Sequence, residues 1–168
     1  MYLKPLLNGD IRSAFAMTEP GVASSDATNI ASSAVLDGDE YVINGRKWFA
    51  SNASHENTRL IILVGVTDAN AKKSKRQSLI LIPRQADVVK VIRNLPVFEH
   101  ESVTSRHPEL SFTNVRVPVV NLLGEEGEGF AMGQARLGPA RLHHCMRAIG
   151  ECEVLISLML KRSTERTT

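Results

Sequence analysis

Residues 34–45 read Ala34-Val-Leu-Asp-Gly-Asp-Glu-Tyr-Val-Ile-Asn-Gly45. Asp37-Gly38-Asp39 separates a β-rich run at 28–36 from a second at 41–43, and Asn44-Gly45 separates that run from a third at 47–51. Asp-Gly and Asn-Gly both take the positive φ that tight primed turns require, so the stretch predicts two hairpins in succession. Upstream, Phe15-Ala-Met17 runs into the turn pair Pro20-Gly21. Downstream, apolar strands are expected at 60–66, 78–82, 88–92 and 110–117. Between them, 67–77 is polar and basic through Lys72, Lys73, Lys75 and Arg76, which favours a solvated hairpin loop over a binding patch. Residues 99–107 are polar and end at Pro108, so they read as a loop.

After Gly127 the period changes from two to 3.6. Leu142, Cys145, Met146, Ile149, Cys152, Leu155, Ile156 and Met159 fall at helical spacing, while Arg147, Glu151, Lys161 and Glu165 take the other side. Gly138-Pro139 marks a break or a fresh start, with Pro139 suited to a first helical position. The expected architecture is therefore mainly β: a barrel or sandwich over residues 1–126, followed by a helical segment at 127–168. So long an amphipathic helix needs partner helices, and the C-terminus reads as a cut.

Composition removes several classes of function. Of the 168 residues 43% are hydrophobic and 23% charged, which excludes a disordered chain. No apolar run approaches the roughly 20 residues of a membrane span. Twenty basic against 18 acidic residues leave a net charge of +2, no basis for a nucleic-acid partner. Cys145 and Cys152 lie two helical turns apart, about 10 Å, too far for a disulfide. They read as small buried apolar residues in a reducing compartment. His143 and His144 point about 100° apart on a helix, so they do not form a metal pair, and no other spacing suggests a metal site. The N-terminus lacks the apolar core of a secretory signal and the bias of a transit peptide.

Two clusters carry chemistry. Phe15 to Asp26 joins a strand to a loop bearing Thr18, Ser24 and Ser25, with Gly21 free in its backbone angles. Hydroxyls and exposed amides at a barrel mouth suit a flat heteroaromatic ring with polar edges, and an N-capping turn suits the same composition. The second cluster, Gly45-Arg-Lys-Trp-Phe-Ala-Ser-Asn52, holds the single Trp. Strand alternation sends Phe49 and Ser51 to one face and Trp48 to the other. Such a pair is core or, joined to the first cluster, part of a site.

Four stretches then occur in order: Ala16-Met-Thr-Glu-Pro-Gly21 with Ser24-Ser-Asp26, Asn44-Gly-Arg-Lys-Trp-Phe49, Phe112-Thr-Asn-Val-Arg-Val-Pro118, and Leu123-Gly-Glu-Glu-Gly-Glu-Gly-Phe130. In order and spacing they resemble the acyl-CoA dehydrogenase family. Residues 133–147 are most similar to its member 10 and member 11 subgroup. The resemblance covers essentially the whole chain and implies the middle β-barrel domain with the first helix of a C-terminal four-helix bundle. It implies an FAD-dependent oxidoreductase of fatty acid β-oxidation that forms 2,3-enoyl-CoA by α-proton abstraction and β-hydride transfer to flavin. Phe15, Met17 and Thr18 would line the flavin, and Ser24 and Ser25 would approach the cofactor, Ser25 also reaching the substrate. Phe49 stands where much of the family has a tryptophan, with Ser51 as the nearby hydroxyl. Gly138, Pro139, Ala140 and Arg141 match a CoA-contacting turn, and Arg166 an arginine that reaches a neighbouring subunit's FAD.

The resemblance further implies an acyl-CoA substrate, a homo-oligomer and electron-transfer flavoprotein as acceptor. It implies an intracellular setting, mitochondrial or peroxisomal in a eukaryote and cytoplasmic in a bacterium. The sequence departs from the family in places. The loop Val22-Ala-Ser-Ser25 is one residue longer than the common form, and residues 99–107 replace a glycine-rich turn. Ala140 occupies a position where some branches carry the catalytic glutamate, so no residue of this chain is expected to be the base. Glu19 is expected to order its loop. The rival expectation is a non-catalytic truncated product or a β-barrel binding module.

Overall fold

The computed structural model describes residues 1–84, 89–97 and 106–167. It contains two compact units, Met1–Phe130 and Ala131–Thr168. In the first, a short helix α1 (Leu3–Asn8) precedes strands β1 (Arg12–Ala16), β2 (Ser33–Asp37), β3 (Glu40–Lys47), β4 (Thr58–Val66), β5 (Gln77–Pro83), β6 (Val89–Leu95), β7 (His107–Pro118) and β8 (Leu122–Leu123). Helix α2 (Gly129–Glu165) supplies the second.

The strands form one sheet in the order β6-β7-β3-β2-β4-β5-β8, with β1 pairing in parallel to β4. Ala14 and Ala16 of β1, Ile43 of β3, Ile61 and Leu63 of β4, Ile80 and Ile82 of β5, Val89 of β6 and Leu110 of β7 belong to one buried cluster. From β6 to β5 there are five strand spacings, about 24 Å in a flat sheet at roughly 4.8 Å each. Side chains from both strands share a cluster only because the sheet curls around a common core. Each buried Ile or Leu contributes about 1.5–3 kcal/mol to that closure. Leu60 and Val64, of opposite parity to Ile61 and Leu63 on β4, are buried as well. Burial on both faces explains the unbroken apolar run at 60–64.

The Asp37-Gly38 hairpin forms as expected: Asp37 pairs with Glu40 and Gly38 takes φ +65°. Asn44-Gly45 does not turn the chain. β3 runs through it, and the irregularity falls in the pairing with β7, where Ile43 faces Val115 and Gly45 faces Phe112. Thr113 and Asn114 thus oppose the single residue Asn44, which is a β-bulge. Asn44 Oδ1 accepts from the Asn114 N–H at 2.8 Å, and Asn114 takes φ +50°. The long partner strand β7 offers β3 a ladder on both sides of the Asn-Gly pair, and that pairing outweighs the turn preference. Gly45 is required there, because a Cβ would collide with the Ser32 side chain and lie 2.9 Å from its Cα.

Three other expectations change. The third β-rich run ends early, since β3 stops at Lys47 and Phe49 takes φ +50°, which is incompatible with strand alternation. Pro139 lies inside α2 and does not start a helix. It removes one backbone hydrogen bond at a cost of about 3 kcal/mol, and the helical runs on both sides carry the helix through. Cys145 and Cys152 are exposed, as are Leu142, Met146, Ile149 and Met159. A single helix has nothing within its own unit to cover its apolar stripe. Helix α1 is too short to show a sequence period, and Gly9 at φ +80° ends it as a left-handed C-cap. The loop expected at 99–107 lies mostly outside the described residues, and His107 opens β7. Among the described residues, no helix is long and apolar enough to cross a membrane.

Candidate functional site

The site is built where the ends of β1 and β3 meet. β3 delivers Lys47 to a fully buried position. Its ammonium donates to Met17 O at 2.9 Å and to Glu19 Oε1 at 2.7 Å. Glu19, also buried, accepts from the Ala31 N–H on Oε2 and the Ser32 N–H on Oε1, each at 2.9 Å. The carboxylate therefore pins both feet of an arch running from 19 to 32. Burial would raise the Glu19 carboxyl, but the Lys47 ammonium and the backbone donors hold it below the usual carboxylate range. Burial drives Lys47 down to about 8, against the upward pull of Glu19. Glu19 is the loop-ordering acceptor its sequence context suggests.

That pin sets the first two clusters side by side. Thr18 Oγ1 donates to Trp48 O at 2.7 Å, and the Trp48 N–H donates to Thr18 O at 3.0 Å. Thr18 thus adjoins Trp48, and Phe49 and Ser51 follow Trp48 along the chain. Phe49 is an aromatic residue with φ +50°, a region such a side chain avoids, and the residue is 44% exposed. The ring meets Trp48 edge-on at a centroid distance of 5.1 Å. A strained backbone that presents a large apolar ring to solvent is a conformation the surroundings must impose. Ser51 Oγ lies 2.8 Å from His107 Nδ1.

Ser24 joins the same arch: its Oγ accepts from the Glu19 N–H at 2.9 Å. Ser25 is exposed on the arch. Phe15 is half-buried on β1. Gly138, Pro139, Ala140 and Arg141 form one turn of α2, where the Arg141 guanidinium donates to Gln134 Oε1 at 2.8 Å. Arg166 follows the end of α2, its N–H bonded to Arg162 O at 3.0 Å. Twenty-five residues separate Arg141 from Arg166, roughly 37 Å of helix, so the two do not serve one small ligand group.

Three participants escaped the sequence reading. Lys47 had a signal, since it continues the inward series of Tyr41 and Ile43 on β3. His107 had none, because its segment read as a loop. Glu109, buried on β7, pairs with both Arg93 and Arg46, and those guanidinium groups, Arg93 first, hold its carboxyl below the usual range. A cleft of about 660 Å³ opens on the arch and the bulge, lined among others by Pro20, Ser32, Asn44, Arg46 and Phe112. Among the described residues there is no cluster of metal ligands.

Residues 14–115 match the family model described as acyl-CoA dehydrogenase, middle domain. The chain is 50% identical over 165 residues to acyl-CoA dehydrogenase FadE2 of Mycobacterium tuberculosis, covering 98% of this chain and 40% of that protein. It is 47% identical over 167 residues to human acyl-CoA dehydrogenase family member 11, covering 98% of this chain and 21% of that one. A solved acyl-CoA dehydrogenase structure from Mycobacterium abscessus superposes with a TM-score of 0.87 at 47% identity, over 100% of this chain and 41% of the other. The chain thus spans between about a fifth and two fifths of the length of these relatives.

The Glu19–Lys47 pair is testable by pH. Because the folded carboxyl lies below its ordinary value of 4.5, the unfolded chain binds more protons as the medium turns acid. Stability present above 4.5 is lost as pH falls through the lowered value. Urea titrations from pH 7 to 3 should show that loss in the parent chain and a flatter acid limb in Glu19→Gln, which starts about 3–5 kcal/mol less stable. Superimposable limbs would mean the pair carries no linkage. A second test addresses Phe49. Replacing it by Asn, which tolerates the left-handed region, should leave the chain as stable or about 1 kcal/mol more stable. A loss above 1 kcal/mol on urea denaturation would show that ring packing outweighs the strain.

Proposed function

The chain belongs to the acyl-CoA dehydrogenase family, and from that membership we propose that its β unit forms one wall of a flavin site. Residues 1–126 are assigned to the family's middle domain and 127–168 to the start of its helical domain. The observation that carries the reading is the reciprocal pairing of Thr18 with Trp48, which joins the two motif clusters into one surface. The donor set suits FAD: the Phe49 ring and the Met17 thioether offer apolar and polarizable cover, and the Thr18 and Ser51 hydroxyls offer polar contacts for a ring edge. When bound, FAD supplies the acceptor for a hydride that leaves the β carbon of an acyl-CoA.

Each candidate site residue has a part in this reading. Lys47 and Glu19 keep Met17 and Thr18 in place without touching the ligand. Phe15 and Met17 line the ring, and Thr18 and Ser51 bond its polar edge. Ser24 and Ser25 approach the cofactor from the arch, Ser25 facing the substrate as well. Gly138 to Arg141 receive the CoA moiety, with the Arg141 guanidinium suited to its charged nucleotide part. Arg166 serves the FAD of a neighbouring subunit in a homo-oligomer. Ala140 offers no carboxylate, so the α-proton acceptor is not among the residues of this turn. Electron-transfer flavoprotein as the acceptor, and an intracellular setting (mitochondrial or peroxisomal in a eukaryote, cytoplasmic in a bacterium), complete the proposal.

Two measurements on the 168-residue chain test it. Titration with FAD, followed by flavin fluorescence, should show weak saturable binding that Thr18→Val reduces at least several-fold, because it removes both the hydroxyl offered to the ring edge and its bond to Trp48 O. Mixed with FAD, an acyl-CoA and an electron-accepting dye, the chain should give no dye reduction. Turnover in that mixture would place a functional base within these residues and overturn the assignment.

A further inference from the structure

Residues 50–52 are laid against the start of β7. The Ala50 N–H donates to Pro108 O at 3.3 Å and the Asn52 N–H to Arg106 O at 3.0 Å. Between these two bonds, Ser51 Oγ faces His107 Nδ1 at 2.8 Å. The Ser51 N–H is turned back to Phe49 O at 2.9 Å, within the segment where Phe49 and Asn52 both hold positive φ. The contact between the two side chains is therefore fixed by backbone on both sides, two residues along the chain from the exposed Phe49.

A serine touching a histidine suggests a nucleophile, but the geometry argues otherwise. In nucleophilic triads the serine bonds Nε2 while Nδ1–H is held by an acid. Here the serine occupies Nδ1, the atom the orienting acid would need. What the contact does is restrict a rotor. A neutral imidazole nitrogen either accepts the hydroxyl proton or donates to the oxygen, and each arrangement commits one hydrogen-bonding direction of Oγ. The remaining directions are then set before any ligand arrives, so binding loses less rotational freedom.

We propose that His107 is a positioning residue for bound flavin, acting through the Ser51 hydroxyl without touching the ring. The inference rests on the FAD reading given above. It requires that the effect of His107 vanish when Ser51 has no hydroxyl.

The test is a double-mutant cycle in the 168-residue chain with FAD as the probe. Wild type, Ser51→Ala, His107→Phe and the double variant are titrated by flavin fluorescence, and the visible flavin band is recorded at saturation. His107→Asn, which keeps a polar atom near the position of Nδ1, serves as the conservative variant, and urea midpoints without FAD report folding. Each single substitution is expected to weaken FAD binding by about tenfold. The double variant should bind no more weakly than Ser51→Ala, and His107→Asn should recover most of the affinity. The band position in His107→Phe should move to that of Ser51→Ala. Additive losses, or a His107→Phe chain with wild-type affinity and band, overturn this inference alone. A wild-type chain that does not bind FAD overturns the FAD reading and this inference with it.

Discussion

A buried ammonium governs this β unit. β3 carries Lys47 to a place without solvent, where an uncompensated charge would cost several kcal/mol. Compensation comes from the end of β1 and from the arch that follows it: Met17 O and the Glu19 carboxylate. Glu19 in turn accepts two N–H groups at the far foot of the arch. One charge thus ties three chain segments, distant in sequence, into a single rigid piece. Every proposed flavin contact of the β unit sits on that piece or adjoins it. The pair itself does no chemistry; it makes the position of Thr18 and Trp48 a property of the core.

On this frame the backbone irregularities concentrate along β3 and β7. The bulge at Asn44 and Asn114, the close approach of Gly45 to Ser32, and the left-handed Phe49 and Asn52 all lie on these two strands or just past the end of β3. A regular ladder would have sent Phe49 and Ser51 to one face with Trp48 opposite. The irregular exit instead leaves Phe49 exposed, its ring edge-on to Trp48. Strain of about 1–3 kcal/mol at such a residue persists only where packing and hydrogen bonds overdetermine it. Here the bonds of Ala50 to Pro108 on β7 and of Asn52 to Arg106 just before it do so.

Patterns that depend on neighbours in sequence were legible. The Asp37-Gly38 turn, the apolar runs of β4, β5 and β7, and the 3.6-residue period of α2 all follow from local chemistry. The motifs at 16–26 and 44–49 were legible as residue types, and the structure brings them together through the bonds of Thr18 with Trp48. What stayed hidden depends on partners far along the chain. Asn44-Gly45 looks like a turn until β7 is known to run past it, and Pro139 looks like a helix start until helix is found on both sides. His107 gives no local signal, since its meaning comes from Ser51, 56 residues earlier. Lys47 was readable in principle, as a charge on the inward parity of β3, but only once the parity was trusted beyond the bulge.

The central claim is that the joined surface of Met17, Thr18, Phe49 and Ser51 meets the flavin. The most direct measurement is a map of backbone and indole amide shifts in the isotope-labelled chain as FAD is added. The account predicts that the largest shifts fall at Met17, Thr18, Trp48, Phe49 and Ser51. Shifts centred instead on the cleft of Ser32, Asn44 and Phe112, with these five residues unmoved, would contradict it.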